Sequence, residues 1–137
     1  MPLKIQFTAI RANARFKPQG ALKKRIQDYT KNWARYVVAD AGQYPPTESP
    51  SYKWTYDLLR GWNVVALPPN GDAWGVQINN YARHKGVYYA RFVVGTRQWP
   101  VYARRGWTTV LQAIKAFGGR EAVRKDIQGI IRWWAGD

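Results

Sequence analysis

Apolar residues recur at a helical spacing near both ends of this chain, and this spacing constrains the fold more than any other feature. The first stripe begins after Pro18 and Gly20. Its members fall three or four positions apart, or adjacent at the end: Leu22, Ile26, Tyr29, Trp33, Tyr36 and Val37. Because such residues share one face of an α-helix, the spacing predicts a helix that runs to about Asp40, with Gly42 as its cap.

A second helical stripe starts at Trp107 and is interrupted by Gly118 and Gly119. Helical spacing then resumes from Val123 to Trp134. The sequence therefore predicts two C-terminal helices with a break at the paired glycines. We expect three tryptophans to lie in the core: Trp62, Trp107 and Trp134.

Strand-like segments lie before and between these helices. Residues 3–10 alternate apolar and polar side chains, which predicts a half-buried strand. Residues 61–67 and 73–80 flank the turn sequence PPNGD, which predicts a hairpin. Residues 86–94 fit either a third strand or a short helix. Clustered strands favour an α+β fold: a small antiparallel sheet packed against a long N-terminal helix and C-terminal helices.

The chain length of 137 residues predicts one domain, spanning residues 1–137. Two segments lack an apolar period and are predicted to be loops. Residues 43–53 contain three prolines, and residues 95–106 interleave basic and aromatic side chains. A short turn is expected over residues 55–60.

Composition adds a large positive charge and an aromatic surplus. The formal net charge is +14, and eight Trp and nine Tyr bring the aromatic fraction to 15%. Such a charge favours an anionic partner, either nucleic acid or an acidic protein. Trp and Tyr are enriched at interfaces, which favours the same conclusion. A soluble domain that is merely basic is the alternative.

Residues for catalysis or metal binding are sparse. The chain has eight acidic residues, which are scattered, a single histidine, His84, and no cysteine. The serines Ser49 and Ser51 both lie in the proline-rich loop, and no Gly-rich phosphate loop is present. The sequence therefore predicts a protein that is not an enzyme and that uses no cofactor or metal.

Membrane association is not expected either. The N-terminus lacks the apolar run of a signal peptide, and no stretch approaches the roughly 18 apolar residues of a transmembrane helix. We expect a protein made in a cytoplasm.

Half of the chain, roughly residues 44–115, carries a series of spaced motif positions. The first group follows the proline-rich loop: Pro50, Tyr52, Thr55, Leu58, Gly61 and Trp62. The second group is Ile78, Asn79, Asn80, Tyr81 and Ala82. The third group is Val94, Gly95, Gln98, Gly106 and Trp107. This series resembles the neck and tail-completion proteins that join tail to head in tailed bacteriophages. The chain departs from the family by inserting RHKGVY between Tyr81-Ala82 and Tyr89-Ala90.

The resemblance implies an α+β virion protein that forms a homo-oligomeric ring, commonly sixfold, as a neck, tail-completion or tail-terminator subunit. Its partners would be copies of itself, the connector or adaptor, and the tail-tube protein. DNA passing through the lumen would be a further candidate partner. A basic nucleic-acid-binding protein acting outside a virion is the alternative function.

Two segments are candidate binding surfaces for a partner or a neighbouring subunit. The first joins basic and aromatic residues and suits either DNA or an acidic protein groove: Arg97, Trp99, Tyr102, Arg104 and Arg105. The second is the proline-rich loop, whose restricted backbone suits a contact with a neighbouring subunit: Tyr44, Pro45, Pro46 and Tyr52.

Overall fold

The computed structural model describes residues 2–11, 17–45, 57–70 and 73–136. Its elements in chain order are β1 (Leu3–Arg11), α1 (Gly20–Ala41), α2 (Asp57–Arg60), β2 (Trp62–Ala66), β3 (Ala73–Asn80), β4 (Arg83–His84), β5 (Val87–Tyr88), α3 (Ala90–Val93), α4 (Pro100–Arg104), α5 (Val110–Ala116) and α6 (Gly119–Ala135). The α+β class predicted from the sequence is confirmed.

Strands β1, β3 and β2 form an antiparallel sheet in that order, with β3 in the centre. Ile78 of β3 pairs with Ile5 of β1 on one side and with Val64 of β2 on the other. The register of β1 shifts between Phe7 and Ile10. The hairpin predicted for β2 and β3 is therefore present, and the N-terminal strand completes the sheet.

The sheet has one apolar face and one face crossed by amide side chains. On the amide face, Gln6 donates to Gln77, Gln77 donates to Asn79, and Asn79 donates to Asn63, over distances of 2.9, 2.9 and 3.3 Å. The chain of bonds runs from β1 through β3 to β2. It satisfies the buried Asn79 side chain, which would otherwise lose its hydrogen bonds to water.

Helix α1 packs its predicted apolar stripe against the core. Leu22, Ile26 and Val37 are buried, and the ring of Trp33 stacks on Phe7 of β1 at 4.8 Å. The helix ends at Ala41, and Gly42 is its C-cap, as predicted. A Cβ at Gly42 would lie 2.8 Å from the carbonyl oxygen of Val38 and 3.0 Å from Nε1 of Trp62, so a larger residue would not fit there.

The two C-terminal helices are separated at the predicted glycine pair. Gly118 and Gly119 both have positive φ, at 89° and 64°, a conformation that glycine adopts without steric cost. Helix α6 then buries Val123, Ile127 and Ile131. None of the helices in the described part of the chain combines the length and apolar surface needed to cross a bilayer.

The prediction that Trp134 lies in the core is wrong. Its side chain is 47% exposed. All residues of α6 from 132 onward are exposed, because this end of the helix extends past the hydrophobic core. Trp107 is buried, as expected, and Trp62 is half-buried against the core.

Two segments contain a short helix that the sequence did not predict unambiguously: residues 86–94, which fitted a strand or a helix, and residues 95–106, which were predicted to be a loop. Residues 86–94 hold both candidate structures, since β5 at Val87–Tyr88 is followed by α3 at Ala90–Val93. The predicted loop 95–106 includes α4, which begins at Pro100. No residue of α4 is buried, so the helix leaves no apolar period in the sequence.

Candidate partner-binding surface

The segment after α3 is held in place by the side chain of Gln98. Its Nε2 donates to the backbone carbonyl oxygens of Val93 at 2.7 Å and Trp107 at 2.9 Å. The backbone N–H of Trp99 also donates to the carbonyl oxygen of Phe92 at 2.8 Å. These three bonds tie the start and end of residues 93–107 together, so the residues between them are presented in a fixed conformation.

Close packing also fixes the turn that precedes Gln98. A Cβ at Gly95 would lie 2.6 Å from the carbonyl oxygen and 2.8 Å from the Cα of Arg91. The N–H of Val110 donates to the carbonyl oxygen of Val94 at 2.8 Å, which attaches the start of α5 to the same turn. Glycine is therefore required at position 95 for α3 and the following segment to approach.

Three aromatic rings stack on this scaffold. Trp99 lies 4.6 Å from Phe92 and 6.2 Å from Tyr102 between ring centroids, with interplanar angles of 26° and 22°. The guanidinium carbon of Arg91 lies 4.5 Å from the centroid of Phe92. The Phe92 ring is therefore in contact with both Trp99 and the Arg91 guanidinium. Trp99 is 51% exposed, although its ring is stacked on Phe92 and Tyr102.

The structure places the five predicted residues around this stack. Arg97, Trp99 and Arg104 are exposed, whereas Tyr102 and Arg105 are half-buried. We call the set Phe92, Arg97, Trp99, Tyr102 and Arg104 the Trp99 surface. Sequence reasoning missed Phe92, because its contact with Trp99 depends on a chain reversal at residues 94–98 that the pattern did not specify.

Charge is distributed unevenly around this surface. Between Asp72 and Glu121 the sequence has no acidic residue and eight basic ones: Arg83, Lys85, Arg91, Arg97, Arg104, Arg105, Lys115 and Arg120. The acidic side chains that the structure describes all lie on α1 and α6: Asp28, Asp40, Glu121 and Asp126. The part of the chain that contains α3 and α4 therefore carries no acidic side chain, and the described acidic groups lie on two helices that each carry more basic than acidic residues.

Most of those acidic groups already have partners within the chain. Asp28 binds Lys24 at 2.7 Å, and this hydrogen bond lowers the pKa of the Asp28 carboxyl group. Glu121 binds Arg124, which lowers the pKa of Glu121 in the same way. Asp126 accepts from the Tyr29 hydroxyl at 2.5 Å; burial first and this bond second raise the pKa of Tyr29.

The second predicted surface, the proline-rich loop, is described only at its start. Tyr44 is half-buried, its ring meets Trp107 edge-on at 4.9 Å, and its hydroxyl accepts from the N–H of Leu59 at 3.2 Å. Pro45 is half-buried beside it. Pro46 and Tyr52 lie outside the described residues. Tyr44 therefore attaches the first part of the loop to its own subunit.

Other motif positions form a second cluster of hydrogen bonds. The buried Asn80 donates to the carbonyl oxygen of Leu58 and accepts from the N–H of Ala82, both at 2.9 Å. A Cβ at Gly61 would lie 2.5 Å from Oδ1 of Asn80 and 2.7 Å from the backbone nitrogen of Ala82. The Gly and Asn of the motif are thus needed to bring α2 against the end of β3.

Among the described residues, no three His, Asp or Glu side chains lie close enough together to hold a metal ion. Comparison of the chain with family models, curated proteins and solved structures found no match.

Proposed function

We propose that this chain is a virion structural protein of a bacteriophage head–tail junction, a neck, tail-completion or tail-terminator subunit. It assembles as a homo-oligomeric ring, with six subunits as the expected number, and joins the connector to the tail. One observation carries the proposal. The motif positions Gly95, Gln98 and Trp107 hold the segment that presents the Trp99 surface outward.

The geometry of the Trp99 surface favours a protein partner over stacked nucleobases. A base stacks on a free ring face, whereas Phe92 already contacts Trp99 and the Arg91 guanidinium, and Trp99 is stacked on Tyr102 as well. Trp99 is exposed and combines apolar carbon with an indole N–H donor, which fits a groove containing a carbonyl or carboxylate oxygen. Exposed Trp flanked by Arg is the composition typical of residues that dominate binding energy at protein interfaces.

Charge disfavours contact between two copies of the Trp99 surface. In a closed ring, one surface of each subunit meets a different surface of its neighbour. The basic Trp99 surface cannot face its own copy without repulsion. The described acidic groups on α1 and α6 are mostly paired within the chain and lie on helices with more basic than acidic residues. Acidic connector or tail-tube proteins are therefore the expected partners of the Trp99 surface.

Light scattering of the purified protein over a range of concentrations tests the proposal. We expect a ring-sized species, or a monomer that becomes one when connector or tail-tube protein is added. Moderate salt is needed, because a charge of +14 per subunit opposes assembly at low ionic strength. A protein that stays monomeric beside both partners would contradict the proposal.

A basic nucleic-acid-binding protein acting outside a virion is the second candidate. The run of eight basic residues without an acidic one between Asp72 and Glu121 favours it. Binding to DNA by phosphate contacts strengthens as salt is lowered. A protein that remains monomeric, binds DNA more tightly at lower salt and does not bind the connector or tail-tube proteins would favour this second function over the first.

A further inference from the structure

The inserted sequence RHKGVY folds as a separate basic hairpin. Strand β4 pairs with β5 through Arg83↔Tyr88 and His84↔Val87. The two turn residues both have positive φ, 50° at Lys85 and 79° at Gly86, as in the type I′ turns that suit two-residue hairpins. The side chains of Arg83, His84 and Lys85 are all exposed.

A cavity of about 370 Å³ lies at the base of this hairpin. It is shallow, with most of its boundary open to solvent, and lies where β2 begins and β3 ends. Its lining combines two arginines, two aromatic residues and three small or amide residues: Arg60, Gly61, Trp62, Asn63, Tyr81, Ala82 and Arg83. We call it the Tyr81 pocket. Its volume lies in the range of pockets that hold small ligands, about 300–1,000 Å³.

The rings of Tyr81 and Trp99 differ in whether other side chains are stacked on them. The side chain is 47% exposed. Within the described part of the chain, no other aromatic ring and no cation is stacked on it. A flat partner can therefore lie against the tyrosine ring, and nucleobases of every type have such a face.

Arg83 is held in place for a phosphate contact. Its guanidinium carbon lies 4.3 Å from the centroid of the Tyr88 ring, and Nη2 donates to the Tyr88 hydroxyl. A guanidinium has five N–H donors, so this arrangement fixes the group and leaves donors for an anion. Lys85 adds a second positive charge at the tip of the same hairpin.

We propose that the Tyr81 pocket and the β4–β5 hairpin bind single-stranded nucleic acid, with a base stacked on Tyr81 and backbone phosphates on Arg83 and Lys85. This site goes beyond the proposed ring function and does not depend on it. An acidic peptide would use the same charges, but only in a nucleic acid does every unit carry both a flat ring and a negative charge. The open ring of Tyr81 thus favours nucleic acid.

The test measures fluorescence anisotropy of a labelled oligothymidine of about 12 nucleotides, within the length that one such site covers. Binding is followed from about 50 mM to about 200 mM salt. We expect Tyr81→Ala to weaken binding about tenfold at each salt concentration, because stacking is lost, and Tyr81→Phe to bind like the unmodified protein. Both variants change an exposed side chain, so we expect them to fold.

The charge contacts are tested by the double variant Arg83→Ala/Lys85→Ala. The plot of log affinity against log salt has a negative slope. Removing two phosphate contacts should reduce the magnitude of this slope by about 1.4 for a single strand. Arg97→Ala/Arg104→Ala removes the same charge from the Trp99 surface and serves as the matched control. We expect this control to leave the slope unchanged.

Three results would overturn the proposal. The first is no binding at the lowest salt. The second is an equal loss in both double variants together with no effect of Tyr81→Ala, which would mean that binding follows net charge alone. The third is a duplex bound more tightly than the single strand, because paired bases cannot reach Tyr81. None of these results bears on assembly, so a failure here is distinct from a failure of the ring.

Discussion

The Trp99 surface and the Tyr81 pocket have the same composition, aromatic residues beside arginines, but their rings are arranged differently. At the Trp99 surface the rings stack on each other, and the guanidinium of Arg91 contacts Phe92. At the pocket, Arg83 rests on Tyr88, and Tyr81 is left with its ring open within the described part of the chain. Residue type alone therefore does not determine the partner; the faces that remain available do.

The two regions are nevertheless supported in the same way. Each is fixed by one amide side chain that bonds to backbone groups of two different segments, Gln98 in one case and Asn80 in the other. Each also needs a glycine where two segments approach, Gly95 and Gly61. The motif positions thus build rigid supports, and the residues between them provide the binding groups.

The largest expected effect separates the two surfaces at Trp99. Trp99→Ala should weaken assembly, or binding to the junction partner, by about 2 kcal/mol or more, which is about 30-fold. Trp134→Ala is the matched control, since Trp134 is 47% exposed against 51% for Trp99 and lies at the end of α6. Sedimentation or light scattering measures the shift. Equal losses in both variants would show that exposed tryptophan in general, rather than this surface, drives assembly.

The second-largest effect is expected at Gln98, whose hydrogen bonds hold the segment that carries the Trp99 surface. Gln98→Met keeps the length of the side chain but leaves the carbonyl oxygens of Val93 and Trp107 without their donor. We expect the free energy of unfolding to fall by about 1–3 kcal/mol, measured by urea denaturation. The exposed Gln43→Met should change it by less than about 0.5 kcal/mol. An unchanged midpoint in Gln98→Met would contradict the role of this side chain.

Alanine substitutions at Gly61, which lines the Tyr81 pocket, and at Gly129 in α6 are expected to change the stability in opposite directions. Gly61→Ala should destabilise the protein by about 1–3 kcal/mol, because its Cβ would collide with Asn80 and Ala82. Gly129→Ala lies inside α6 with nothing within 4 Å of the new Cβ, so it should stabilise the protein by about 0.5–1 kcal/mol. Thermal unfolding measures both. The same sign for the two variants would contradict the packing described at Gly61.

The smallest effect concerns the tip of the hairpin. Lys85 has a φ of 50°, a conformation that asparagine adopts more readily than lysine. Lys85→Asn should therefore raise the free energy of unfolding by about 0.5 kcal/mol while removing one phosphate contact from the pocket. A gain in stability together with weaker oligonucleotide binding is the expected pair of results. Unchanged binding would remove Lys85 from the site.

The elements predicted correctly are those whose apolar pattern matches what they bury. Helix α1 and strand β3 fall in this group, since Ile26 and Ile78 lie fully inside the core. Helix α4 buries no residue, so its sequence showed only basic and aromatic side chains and was read as a loop. Trp134 continues a helical period past the layer that covers it, and for that reason its burial was predicted wrongly.

The candidate sites were predictable only in part. Arg97, Trp99 and Arg104 are close in sequence, so their shared surface was visible as a local cluster. The Tyr81 pocket joins residues 60–63 to residues 81–83, which meet only because β2 and β3 pair with Trp62 opposite Asn80. The availability of a ring face depends on neighbouring side chains, and sequence spacing carries no information about it.

The central claim is that the two surfaces serve different partners, and a crossed measurement tests it most directly. Solution mass and oligothymidine binding are measured on Trp99→Ala and Tyr81→Ala, each at low and moderate salt. We predict that Trp99→Ala loses assembly and keeps binding, that Tyr81→Ala does the reverse, and that added salt favours assembly but weakens binding. Loss of both properties in both variants, with the same salt dependence, would contradict the claim and indicate a single surface.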